Sequence, residues 1–308
     1  MLVLALYCIL QPMPEIIKLL RPKDWAKNLF LFIPAFFARK FFVLENIELL
    51  IGGFFAFSFL ASSIYIINDY RDIDDDRKHP EKRKRPLASG KVSKTTGLLA
   101  AAILLVAGAV LGWLVDETGK FAFLLAIYYL LNLGYCFGLK NISIVDIMIV
   151  AAGFVLRVKG GAVIGKIDTT EWLIIMTFLL ALFMAIGKRR DDVLLKLSTG
   201  TDMRRAIKGY TLDYLNIVLG LVCAVIIVAY INYTVSGALY KEFGHRLYYT
   251  SLFVIAGVLR YLQIIFVQNK SGSPTDILYK DRFIQITLLL WVASFFAILY
   301  LKDQTYFD

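Results

Sequence analysis

Apolar residues along this chain gather into long runs rather than the alternating or three-and-four spacing of half-buried strands and helices. A bilayer core takes about 20 apolar residues per helical crossing. Runs bounded by charge, Gly or Pro fall near 28–43, 47–67, 95–115, 119–139, 143–165, 171–187, 213–233, 247–268 and 283–301, which predicts nine spans. Arg39 and Lys40 interrupt the first. Ahead of it, Glu15–Leu20 followed by Arg21 and Lys23 reads as a short amphipathic helix on the membrane surface. The expected organisation is an N-terminal segment over 1–27 and one all-α membrane domain over 28–308, with polar loops at 68–94 and 188–212.

Composition agrees and narrows the class. The 308 residues are 59% hydrophobic and 19% charged, which excludes a soluble enzyme, a disordered chain and a disulfide scaffold. Cys8, Cys136 and Cys223 are odd in number, far apart and set in apolar runs, so buried thiols are expected. The first ten residues carry no basic flank, and no cleaved signal peptide is expected. The net charge of +10 fits either nucleic acid or a membrane protein with basic cytoplasmic loops, and its distribution decides. With the N-terminus inside, 24 of the 34 basic residues fall in inner segments and five in outer ones. The positive-inside rule therefore predicts a multi-pass inner (plasma) membrane protein, N-terminus in and C-terminus out. Because the basic residues are split among loops and interleaved with acids, no nucleic acid partner is expected.

The loop after the second span reads NDYRDIDDDRKHPEKRKRPLASGKVSK. If the helix continues into it, Asn68, Asp72 and Asp76 step by four residues along one face, with Asp69 beside them. Mg²⁺ is commonly held by one or two carboxylates plus phosphate oxygens, so Asp69, Asp72 and Asp76 form a candidate seat for a metal-bound diphosphate. Pairing of these acids with their basic neighbours is an equally open reading at this point. His79, Lys82 and Arg85 could approach the same phosphates.

The pattern N-D-x-x-D-x-x-x-D followed by K-R-x-R-P-L-A-S-G resembles the first aspartate-rich motif of the UbiA superfamily. The resemblance implies a membrane-embedded transferase for polyprenyl substrates, a nine-helix bundle around a polar cavity open to the cytoplasmic side. Usual members carry a second Asp-rich motif after the sixth span. Here that loop opens with Lys188, Arg189 and Arg190 before Asp191 and Asp192. This triplet, the segment Arg21–Asn28, Gly153–Val158 and Ser273–Arg282 resemble the decaprenyl-phosphate phosphoribosyltransferase branch. That branch implies Mg²⁺-dependent transfer of 5-phosphoribose from phosphoribosyl diphosphate (PRPP) to polyprenyl phosphate, toward arabinose donors for cell-wall polysaccharide.

Such a donor needs metal at its diphosphate and fixed cations at its 5-phosphate, and the lipid phosphate adds a third anion. Lys23, Lys27, Arg85, Lys188, Arg189 and Arg190 are the expected cations, with Asn28, Asn68 and Tyr210 as further substrate contacts. Arg157, Lys159 and Arg260 fall inside spans, where a cation costs roughly 2.5–3.5 kcal/mol and normally faces a cavity or partner. Asp146 lies 11 residues, about 16 Å along a helix, from Arg157, so a ligand or another helix is the expected partner. Two other readings stay open: transfer of an isoprenoid chain from its diphosphate to an aromatic or lipid acceptor, and transport of a polyanion.

Overall fold

The structure, a computed structural model, describes residues 13–78, 82–199, 205–237, 243–268, 277 and 280–300. The described residues are helical, with no strand among them. In chain order the helices are α1 (Met13–Leu20), α2 (Ile33–Phe37), α3 (Leu44–Arg71), α4 (Ile73–Lys78), α5 (Lys94–Val115) and α6 (Lys120–Phe137). They continue with α7 (Val145–Ile164), α8 (Glu171–Thr199), α9 (Leu212–Thr234), α10 (Ser251–Phe266) and α11 (Arg282–Tyr300). Eight helices among the described residues are long and apolar enough to cross a membrane.

The expected first span, 28–43, is not among those eight. Pro22–Phe32 winds as a 3-10 helix and only Ile33–Phe37 is α-helical. Pro34, inside the segment, lacks the amide hydrogen an α-helical turn would use, and Arg21 (φ 54°) and Arg39 (φ 57°) bracket the segment in the left-handed region. The segment nevertheless runs antiparallel along α3. Arg21 meets Asp69, the Trp25 indole donates to Ser62 at 3.0 Å, Asn28 donates to Ser58 at 2.9 Å, and Phe32 packs on Phe54.

The chain divides into two compact units, Met1–Leu139 with Leu156–Thr169, and Lys140–Val155 with Thr170–Asp308. In the first, α3 is the central helix. Its Phe57, Leu60, Ala61 and Ile64 pack with Leu31, Leu125, Tyr128 and Ile164. Small residues let helices close on it. A Cβ on Gly108 of α5 would strike Leu60, and the Ser63 hydroxyl donates to the Ala101 carbonyl at 2.8 Å. Leu19 of α1 is buried with Ile66, Ile73, Leu87, Val92 and Ala101, so part of that helix's apolar face is covered by protein.

The second unit is built on Phe183, Ile186, Leu215, Leu219, Ile226, Tyr261 and Ile265. The N-terminus of α9 is capped by Thr211, whose hydroxyl accepts from the Tyr214 amide. Outside these cores the helices expose large apolar side chains, such as Leu99, Val106 and Leu114 on α5 and Ile217 and Leu221 on α9. Such faces belong in hydrocarbon, not water.

The closest backbone approach gives a test. A Cβ on Gly161 would stand 1.8 Å from the Leu31 carbonyl oxygen, whereas one on Gly220 meets nothing within 4 Å. Gly161→Ala is expected to cost about 1–3 kcal/mol of stability in detergent. Gly220→Ala should be neutral or gain up to ~1 kcal/mol. Equal melting points for the two variants would refute the contact.

Candidate active site

Helix α3 ends at Arg71, and Asp72 caps it at φ −94°, ψ 11° before α4 begins. The expected continuous helix is thus broken at Asp72, yet the four-residue hydrogen bonding runs through. The Asp72 amide donates to the Asn68 carbonyl at 3.0 Å and the Asp76 amide to the Asp72 carbonyl at 2.7 Å. This keeps Asp69 and Asp76 on the buried side, while Asp74 and Asp75 are exposed. Asp72, half-buried, accepts from the Asn68 amide at 3.1 Å.

Two arginines reach the buried acids. Arg85 Nη1 donates to Asp69 Oδ1 at 3.0 Å and to Asp76 Oδ2 at 2.7 Å. Arg21 Nη2 meets Asp69 Oδ1 at 2.5 Å, with its guanidinium 5.1 Å from the Tyr65 ring centre. Arg85 is fixed by local structure: the turn at Lys82–Lys84 accepts its amide, its own carbonyl takes the Ser89 amide at 2.9 Å, and Leu87 and Val92 anchor the loop. Burial pushes the Asp76 carboxyl above its ordinary range, and Arg85 pulls it part of the way back. For Arg21, burial acts against the charge, but Asp69 outweighs it and holds the guanidinium above its ordinary value.

Among the described residues, no three His, Cys, Asp or Glu side chains come together closely enough to share one ion. Asp69 and Asp76 do converge, because both touch the same Arg85 nitrogen. Two carboxylates completed by phosphate oxygens and water are what Mg²⁺ usually accepts, so this pair fits a divalent cation. Asp72 does not join it.

In the same unit, Arg157 is buried within α7. Its Nε donates to Asn28 Oδ1 at 2.7 Å and its Nη2 to the Tyr128 hydroxyl at 2.9 Å, with the guanidinium 4.8 Å from the Tyr128 ring centre. The partner is therefore on other elements, as the spacing from Asp146 required. Asn28 reaches Arg157 because the 3-10 segment lies close against α3 and α7.

In the second unit, Arg189 and Arg190 are buried rather than presented to solvent. Arg189 Nε stands 2.5 Å from Asp146 Oδ2 and its Nη1 contacts Asp192. The Tyr210 hydroxyl donates to Asp146 Oδ1 at 2.7 Å and accepts from the Ile144 amide at 2.6 Å. That bond holds a turn in which Ile144 has φ 71°, a costly conformation for a β-branched residue. Arg190 donates to Asn216 Oδ1 at 2.8 Å and the Ile265 carbonyl at 2.9 Å, 4.8 Å from the Phe266 ring centre. Gly187 leaves room there, since a Cβ would lie 2.7 Å from the Tyr261 hydroxyl. Arg260 pairs with Asp281 at 2.8 Å.

Of the remaining expected contacts, Lys23, Lys159 and Lys188 are exposed, Lys82 is half-buried, and Lys27 pairs with Asp24 at 2.6 Å. His79 lies outside the described residues. Sequence reasoning did not select Arg21, Tyr128 or Asp146. Arg21 carried a signal, since it opens the segment whose Asn28 was chosen. Tyr128 carried none beyond being a polar ring in an apolar run.

Residues 29–289 match the UbiA prenyltransferase family. Proteins named decaprenyl-phosphate phosphoribosyltransferase are similar along most of the chain. That of Corynebacterium glutamicum is 33% identical over 295 residues, spanning 94% of this chain and 87% of that protein. That of Mycolicibacterium smegmatis is 33% identical over 296 residues, spanning 92% of each. Among solved structures, a UbiA homologue from Archaeoglobus fulgidus bound to GPP and Mg²⁺ superposes with a TM-score of 0.70 at 20% identity, covering 92% of this chain and 99% of that one.

The eight long apolar helices among the described residues fit an integral membrane protein, and the family match makes it a transferase. The chain belongs to the UbiA prenyltransferase family.

The Asp146 cluster should be structural. Asp146→Ala removes a fully buried acid from beside the buried Arg189 and from the Tyr210 hydroxyl, and is expected to cost about 3–5 kcal/mol. Tyr210→Phe should cost about 1–3 kcal/mol through the Ile144 amide it strands. Unfolding midpoints of the purified variants check the ordering, and an Asp146→Ala protein as stable as the wild type would refute it.

Proposed function

We propose that the protein transfers 5-phosphoribose from PRPP to polyprenyl phosphate and releases diphosphate, in a reaction that requires Mg²⁺. The observation that carries this reading is the buried Asp69–Asp76 pair in a chain 33% identical over more than nine-tenths of its length to decaprenyl-phosphate phosphoribosyltransferases. The product would feed arabinose donors for cell-wall polysaccharide.

Mg²⁺ held by Asp69 and Asp76 would neutralise charge on the diphosphate leaving group. The bond from C1 of the ribose to the diphosphate breaks with its electron pair leaving on oxygen, and a phosphate oxygen of the lipid forms the new bond to C1. That acceptor is already an anion at neutral pH, so no general base is needed. The chain's part is to position two anionic partners and screen their charge. Lys82 and Arg85, beside the acid pair, are assigned to the diphosphate. Lys23 and Lys27 are assigned to the remaining phosphates, whereas in the second unit Arg189, Arg190 and Tyr210 support the fold around Asp146. Asn28 and Arg157 shape the same unit from within.

Transfer from a prenyl diphosphate is the second reading, favoured by the fold shared with a homologue bound to GPP and Mg²⁺. Membranes carrying the protein, given labelled PRPP and polyprenyl phosphate, should form a ribosyl lipid that EDTA abolishes. Turnover of prenyl diphosphate with no ribosyl lipid would establish the second reading instead. Asp76→Ala should lower the rate at least about 100-fold while the protein still inserts. Full activity in that variant would refute the metal seat.

The orientation proposed is N-terminus and loops 68–94 and 188–212 in the cytoplasm, with the C-terminus outside. In this arrangement Pro22–Phe37 also crosses the bilayer: eleven residues at about 2.0 Å and five at about 1.5 Å reach about 30 Å, the thickness of a hydrocarbon core. Its antiparallel contacts with α3, from Asp69 to Phe54, support this. Lys23→Cys should label from the cytoplasmic side and Phe42→Cys from the other. Labelling of both from one side would overturn the crossing.

A further inference from the structure

We propose that Arg21 and Arg85 are exchange ligands: they pair with Asp69 and Asp76 until a metal-bound diphosphate arrives, then pass to its oxygens. The inference rests on the metal seat proposed above and assigns Arg21 a role in binding the diphosphate.

Geometry carries the argument. The Asp69 and Asp76 side chains are 3% and 4% exposed, while those of Arg21 and Arg85 are 24% and 26% exposed. The guanidinium groups therefore stand between the acids and the outside. An ion reaching Asp69 Oδ1 or Asp76 Oδ2 meets a nitrogen already within 2.5–3.0 Å of that oxygen. Carboxylate and guanidinium charges cancel in this group of four.

A divalent cation entering alone would raise the local charge to +2 beside two fixed cations, in a site too buried for water to screen it. Entering with a diphosphate, it brings a compensating anion, and diphosphate oxygens suit the planar forks of both arginines. Each arginine side chain keeps an exposed side, 24% for Arg21 and 26% for Arg85, toward which its guanidinium can turn while its backbone stays in place. The exchange makes metal and diphosphate mutually dependent, so the site takes the pair and refuses the free ion. By linkage, each should raise the affinity of the other by the same factor.

The test uses the purified full-length protein, Mn²⁺ in place of Mg²⁺, and inorganic diphosphate, with Mn²⁺ affinity read by electron paramagnetic resonance and diphosphate affinity by calorimetry. Wild type should bind Mn²⁺ weakly alone and tightly with diphosphate. Arg85→Gln should bind Mn²⁺ alone about tenfold more tightly or better, and Mn²⁺-dependent diphosphate about tenfold more weakly. Arg21→Gln, which removes a contact to Asp69 and leaves Arg85 on both acids, should show the same crossing to a smaller degree. Should Arg85→Gln fail to fold, Arg21→Gln decides. A purely structural role would weaken both affinities together. That outcome, or no change in either, overturns the exchange while leaving the metal seat standing. Absence of Mn²⁺ binding by wild type even with diphosphate overturns both.

Discussion

A guanidinium cannot sit in hydrocarbon or in a packed helical interior without partners, and both units are arranged around that constraint. In the first, Arg85 and Arg21 are satisfied by Asp69 and Asp76, and Arg157 by Asn28 and Tyr128. In the second, Arg189 is ion-paired with Asp146 and Asp192, and Arg190 is hydrogen-bonded to Asn216 and a backbone carbonyl. Each pairing draws an otherwise irregular segment into place. Asn28 belongs to a 3-10 stretch, Arg85 to a loop, and Tyr210 to the short connection that supports Asp146.

The same constraint separates the basic residues by task. A cationic triplet after a span looks, in one dimension, like a single phosphate-binding feature. Within helix α8 its members point to different surroundings: Lys188 is exposed, and the two arginines are buried. Successive residues on a helix turn by about 100°, so only one of three neighbours need face the same way. Glycine extends the effect. Gly187 and Gly161 allow a phenol and a backbone carbonyl to approach where a methyl group would collide.

Much of the site was legible in the sequence where it was periodic. The four-residue steps from Asn68 to Asp76 survive as backbone hydrogen bonds even though α3 itself stops. Asp69 and Asp76, one turn either side of Asp72, lie on the buried side. What periodicity could not register was the arginines that meet them. Arg21 is 48 residues from Asp69, in a left-handed conformation that no helical or strand pattern announces. The role of Asp146 was hidden for a related reason: its partners lie on other elements, and one-dimensional spacing could only exclude Arg157.

Sequence alone determined that the chain lives in a bilayer, where eight of the nine expected spans lie within a few residues at most of their ends, and that carboxylates gather at one end of a span. Those properties follow from local composition and period, because hydrocarbon thickness and helical rise are fixed quantities. The tertiary structure decided that the segment at 22–37 winds as a 3-10 helix with a short α-helical end, not as a regular α-helix. It also decided that Arg189 and Arg190 are buried against partners within the protein, and that two arginines meet the acids expected to hold the metal. These outcomes depend on which side chains meet across elements, where burial sets the cost of every unpaired charge.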